Sequence, residues 1–149
     1  MDKKYLMHLL AVMMVAIVSV GFASCSSDDD DEKDNGYSTS ILGSWQTDDE
    51  NFTTEMTFNA NGTCTELMEM KGMTLAAKMR YSGTYNVKGN KLTINWKGYE
   101  GWNPLTSRWL DMTDAPETVV ITISIEGTKL TFLSMEGESS YSPVIYTKK

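Results

Sequence analysis

Ser82-Gly83-Thr84-Tyr85-Asn86-Val87-Lys88-Gly89-Asn90-Lys91-Leu92-Thr93-Ile94 is the stretch that decides the fold. Up to Lys88 it continues an alternation that starts at Leu75: Leu75, Ala77, Met79, Tyr81, Gly83, Tyr85 and Val87 fall on one side. Ala76, Lys78, Arg80, Ser82, Thr84 and Asn86 fall on the other. A period of two with one apolar side marks a half-buried β-strand, or two strands with a bend at Gly83. Gly89-Asn90 then reverses the chain, because both residues tolerate the positive φ of a tight turn. The return, Lys91 to Lys97, carries Leu92, Ile94 and Trp96 on its inward side.

The same grammar extends in both directions. Ile41 to Thr47 reads as a first strand stopped by Asp48-Asp49-Glu50-Asn51, and Phe52, Met56 and Phe58 share a face of the second. Asn61-Gly62 predicts a hairpin into Thr63 to Met70. That third strand sets Cys64, Glu66, Met68 and Met70 against Thr63, Thr65, Leu67 and Glu69, and composition does not choose its inward face. Residues 98 to 117 are the least regular, with room for a short strand or one helical turn at Arg108 to Met112. Alternation returns at Thr118 to Glu126 through Val119, Ile121, Ile123 and Ile125. Gly127-Thr128 turns into Leu130-Thr131-Phe132, and Pro143 to Lys148 forms a last strand. About eight to nine strands joined mostly by hairpins predict an up-and-down barrel or sandwich.

Ahead of this domain stands a leader. Lys3 and Lys4 precede an uncharged run from Tyr5 to Gly21, and Ala23-Ser24 precede Cys25. Basic start, apolar core and small residues before a cysteine are the marks of a lipoprotein signal peptide, residues 1–24, with lipid on Cys25. The pattern resembles a bacterial lipobox, with Phe22 where leucine is usual. An uncleaved anchor, since the run approaches the roughly 20 residues of a spanning helix, and a plain secretory signal are the alternatives. Residues 25–40 form an acidic linker whose Ser26-Ser27-Asp28-Asp29-Asp30-Asp31-Glu32 has too little apolar surface to fold. Ser-Asp-Asp-Asp-Asp looks like the export signal of surface lipoproteins in Bacteroidota, which implies an outer-membrane anchor with the domain on the cell surface rather than the periplasmic face; the alternative is a plain spacer.

Within the domain, Leu42-Gly43-Ser44-Trp45 resembles the Gly-x-Trp of lipocalin-type first strands. Met56-Thr57-Phe58-Asn59-Ala60-Asn61-Gly62-Thr63 and the Ser82–Ile94 hairpin are similar to the "TFNxNGT" and "GTYxVxGNxLTI" hairpins of bacterial lipocalin-like lipoprotein domains. The resemblance covers roughly residues 41 to 147. It implies an all-β, small antiparallel up-and-down lipocalin-like barrel over residues 41–149, of about eight strands, closed by its last strand on its first. Physics agrees: eight strands enclose space for packed side chains or one small ligand, and closure removes open sheet edges. Trp45 would plug the base.

Composition limits function. The 149 residues carry a net charge of −7. Most of the excess acid lies in the linker, and no basic patch suits nucleic acid. The only histidine, His8, lies in the leader, so the mature domain lacks the usual general base and the commonest zinc and copper ligand. Cys64 has no disulfide partner if Cys25 is acylated, and reads as a small core residue. The acid groups Asp48/Asp49/Glu50, Glu66/Glu69 and Glu136/Glu138 are sequence neighbours. Glycoside hydrolysis needs two carboxyls facing each other roughly 5 to 9.5 Å apart, and calcium-loop spacing is missing. The sequence therefore predicts no catalytic set, no metal site and no cofactor. If Glu66 faces inward, it would want a partner such as Arg80; otherwise Leu67 faces in and Glu66 faces water.

Two functions remain. One is binding of a small apolar or amphipathic ligand by Phe52, Met56, Phe58, Met68, Met79, Tyr81, Tyr85 and Trp96, residues that would equally well fill a core. The other is contact with an envelope or host protein through Tyr99, Trp102, Arg108 and Trp109, residue types enriched in binding hot spots. An interior cavity above about 300 Å³ would mark the carrier, and a packed barrel with Trp102 and Trp109 exposed would mark the interface. For the anchor, mass spectrometry of the membrane-extracted protein should find Cys25 as an acylated N-terminus. An intact Met1 would contradict the lipoprotein assignment.

Overall fold

The computed structural model describes residues 36–72, 77–112 and 116–149. The leader, Cys25, the acidic run and Leu75–Ala76 lie outside the described residues. One helical turn, α1 (Tyr37–Ser40), leads into nine strands. These are β1 (Gly43–Asp48), β2 (Phe52–Phe58), β3 (Thr63–Met70), β4 (Lys78–Lys88), β5 (Lys91–Asn103), β6 (Arg108–Asp111), β7 (Glu117–Glu126), β8 (Lys129–Met135) and β9 (Val144–Lys148). Because Tyr37 packs against the core, folded structure begins a few residues before Ile41, inside the stretch expected to be linker.

Every pairing is antiparallel, and the sheet closes on itself. Going round the barrel, the order is β1-β2-β3-β4-β5-β7-β8-β9 and back to β1, with β6 an extra strand on β5. The closing seam is short, with Trp45 opposite Lys148 and Gln46 opposite Thr147. Lys149 N–H adds a hydrogen bond of 3.0 Å to Ser44 O. The turns follow the sequence: Gly62, Gly89 and Gly127 have φ of 81°, 58° and 58°, in the left-handed region that glycine enters without a Cβ penalty.

Strand β5 runs 13 residues, well beyond the expected Lys97. A bulge makes this possible. Ser82 pairs with Gly98 and Gly83 with Trp96, so Lys97 is the extra residue and inward parity switches from Trp96 to Tyr99. Past the bulge, β5 pairs with β4 on one side and β6 on the other. At the bulge the two backbones crowd together. A Cβ on Gly83 would collide with the Asn95 carbonyl and lie 3.1 Å from Trp96 Cα.

Inward residues at one end form a solid plug: Ile41, Trp45, Met56, Phe58, Cys64, Leu92, Ile94, Ile121, Ile123, Leu130, Phe132 and Tyr146. Each fully buried Ile or Leu contributes about 1.5–3 kcal/mol against leaving it in water. Trp45 is fully buried and donates its indole N–H to Ile41 O at 2.7 Å, while the Lys148 ammonium sits 5.0 Å from its ring centroid. Gly43, two residues earlier, has φ 109° and supplies the bend that aims this tryptophan inward. Gly83→Ala should lose about 1 to 3 kcal/mol in urea unfolding, the usual range for overpacking. A variant as stable as the parent would mean that β4 and β5 do not approach this closely.

Candidate functional site

Strand β3 supplies the residue on which the site turns. Its register on β2 sets Phe58 opposite Cys64 and Met56 opposite Glu66, and both β2 residues are core. Residues directly opposite share a face, so Glu66, Met68 and Met70 follow Cys64 into the barrel while Leu67 and Glu69 look out. On β4 the register places Tyr81 opposite Glu66 and Met79 opposite Met68, again inward.

Burial varies along this inward surface, and Thr54, opposite Met68, is buried as well. Met56, Phe58 and Cys64 are sealed, whereas Phe52, Glu66, Met68, Met70, Met79, Tyr81 and Tyr99 are half-buried. Since these side chains face inward, the surface they keep opens into the lumen. Among the described residues the barrel is thus a cup, filled at the Trp45 end and less densely filled at the other. A cavity of about 110 Å³ lies in the rim, lined by Phe52, Met68, Met70, Ala77, Lys78, Met79 and Trp102. A wider, shallow depression of about 420 Å³ follows the seam, among Gln46, Thr47, Asp48, Ile145 and Thr147.

The eight residues predicted to hold ligand therefore divide. Met56 and Phe58 belong to the plug, and Tyr85 serves it. Tyr85 packs edge-on against Phe58, centroids 4.9 Å apart, and donates its hydroxyl to Asn59 O at 2.9 Å. Phe52, Met68 and Met79 line the rim cavity. Tyr81 and Trp96 sit between these groups, 5.9 Å apart, and Tyr81 stacks on Tyr99 at 5.2 Å. Of the residues predicted for a protein interface, Tyr99 thus faces the lumen. Trp102 and Trp109 pack edge-to-face at 5.4 Å, and Arg108 is exposed. Both tryptophans are half-buried and the cavity is small, so neither of the two alternatives drawn above is met as stated. Sequence reasoning missed Leu105, Leu110 and Met112, which are 84%, 45% and 48% exposed on the β5–β6 hairpin and its end. Their irregular spacing among prolines, glycines and acids carries no period to find them by.

The electrostatics of the cup centre on Glu66. Burial pushes its carboxyl from 4.5 up to about 7. Arg80, the expected partner, is on the outside. Its guanidinium bonds the Glu100 carboxylate from Nε at 2.9 Å and from a terminal nitrogen at 2.6 Å, and lies 4.5 Å from the Trp109 centroid. Glu69 likewise pairs outside with Lys78. Such half-exposed pairs contribute about 1 kcal/mol or less each. The Cys64 thiol is pushed up to about 11, first by burial and then by the Glu66 charge, so it remains protonated at neutral pH. Burial and Glu66 also raise Tyr141, to about 12, and Tyr146, well above its ordinary value.

The acids at the β1–β2 turn have structural partners. Asp49 Oδ1 accepts the Asn51 and Phe52 N–H groups at 2.7 and 2.8 Å. Hydrogen bonds from Lys71, Thr53 and Gln46 hold Asp48 down at about 2. Glu136 meets Lys91 at 3.2 Å. Among the described residues no three histidine, cysteine or acidic side chains cluster as metal ligands, and no helix is long and apolar enough to cross a membrane.

No family model, curated protein or solved structure matches this chain.

The Glu66 shift has a signed consequence. Its folded-state value is raised, so the unfolded chain ionises first. The contribution of Glu66 to stability is then greatest below about 4.5, falls as pH rises, and levels off above about 7. Glu66→Gln should flatten that fall in urea unfolding between these values. An unchanged pH profile would mean that Glu66 does not face the lumen.

Proposed function

We propose that the protein is an envelope lipoprotein, held in the outer membrane by lipid on Cys25, whose barrel binds a small apolar or amphipathic molecule at its open end. One observation carries the binding part: inward Phe52, Met68 and Met79 keep solvent contact and line a rim cavity, while Ile41, Trp45, Met56, Phe58 and Cys64 keep almost none. Apolar lumen surface left in contact with water favours a ligand that covers it. Three methionines in that wall adapt to irregular shapes, which suits a cavity smaller than its ligand. The chain supports display as well. It enters the barrel through α1 beside Gly43, which pairs with Phe58 at the plugged end, the end away from the rim cavity.

A second reading has an observation of its own. Leu105, Leu110 and Met112 are exposed on a hairpin whose outer strand, β6, ends the sheet order, with no strand on its other edge among the described residues. Contact with an envelope or host protein would cover both, by apolar burial and strand addition.

Native mass spectrometry of protein extracted from its own cells tests the first reading. A copurifying small molecule, lost when Met68 and Met79 are both changed to Glu, is the expected result. Repeated absence of any bound mass would contradict it. For the second reading, a photo-crosslinker at Leu105 in intact cells should trap one recurrent partner.

A further inference from the structure

We propose that Glu66 is the recognition group of the open half of the cup, pairing with the ammonium of a small alkylamine whose chain lies against Phe52, Met68 and Met79. This rests on the reading of the barrel as a ligand-binding cup and adds the sign and class of the ligand.

Several observations converge on it. Glu66 faces inward by register, one inward position beyond Cys64 and one before Met68, which lines the rim cavity. It keeps solvent contact that can only be luminal, so a small molecule entering the mouth reaches it once the flexible Met68 moves aside. Among the described residues the groups that face it are not cationic. They are Cys64 on its own strand, Tyr81 on β4, Met56 on β2, Tyr146 on β9 and Tyr141 in the β8–β9 connection. The two cations of β4 nearest in sequence are engaged elsewhere, Arg80 by Glu100 and Lys78 by Glu69.

A carboxyl enclosed by apolar walls and phenol rings has two ways to avoid the cost of a buried charge: keep its proton or gain a cation. An alkylammonium supplies the cation, three N–H donors, and an apolar tail for the methionines and Phe52. A fatty acid of the same length would place a second carboxylate beside Glu66, which costs energy in a site of low polarity. The cup should therefore discriminate by charge where its apolar wall would not.

Calorimetric titration of the full chain in detergent, with n-hexylamine, n-hexanol and hexanoate as probes, tests this. Hexylamine stays protonated from pH 5 to pH 8, in the manner of a lysine amine, so pH dependence over that range reports the protein. It should bind at least tenfold more tightly at pH 8 than at pH 5, and more tightly than hexanol at pH 8, with hexanoate weakest. E66Q should lose the amine's advantage and keep its affinity for hexanol, which also shows that the variant is folded. Equal binding of amine and alcohol, with no effect of pH or E66Q, would overturn the inference and leave the cup reading standing. Hexanoate binding tightest would do the same. If none of the three probes binds, the cup reading itself falls, and this inference with it.

Discussion

Strand β1 meets β9 through two residue pairs, Trp45 with Lys148 and Gln46 with Thr147, and this short seam turns a curled nine-stranded sheet into a barrel with an interior. Everything said of Glu66 depends on it. In an open sheet the face bearing Cys64, Glu66, Met68 and Met70 would be one side among two, free to meet water. Closure makes that face a lumen, and the alternation along each strand then fixes which side chains share it. The seam is itself secured from inside. Trp45, whose indole bonds Ile41 O, fills the base, and the Lys148 ammonium lies near its ring.

Within the lumen the competition is between filling and leaving room. At the Trp45 end branched aliphatic and aromatic side chains from seven of the eight barrel strands and from Ile41, with Cys64 from β3, meet and exclude water. Toward the mouth the inward positions pass to methionines, tyrosines and one carboxyl, and the wall changes with them. Past the bulge at Lys97, β5 leaves β7 for β6, so the open half is walled by β2, β3 and β4 on one side and by the β5–β6 hairpin on the other. A bulge of one residue thus divides plug from cup.

Much of this architecture was legible in the residues. Asn61-Gly62, Gly89-Asn90 and Gly127-Thr128 marked three hairpins because a tight reversal demands positive φ, a local requirement that few residues meet. The alternation of Met79, Tyr81, Gly83 and Tyr85 named the inward face of β4 correctly. The inward face of β3 was not legible, since Glu66 puts a carboxyl among Cys64, Met68 and Met70 while Leu67 offers an apolar residue on the opposite face. Only its register against Met56 and Phe58, a long-range fact, decides it. The length of β5 was hidden for a similar reason: Gly98 and Gly101 thin the apolar signal, and the bulge inverts its parity. Of the ligand set, the split between Met56, Phe58 and Tyr85 in the plug and Phe52, Met68 and Met79 at the rim depends on where along the barrel axis each strand sits.

The direction in which the Glu66 side chain points decides whether the lumen carries a carboxyl. A titration of its carboxyl carbon by nuclear magnetic resonance, in protein labelled at glutamate and assigned with E66Q, measures this directly. A lumen-facing Glu66 should titrate near 7, far above its ordinary 4.5. A midpoint near 4.5 would put the carboxyl in water, with Leu67 turned inward, and would contradict the cup described here.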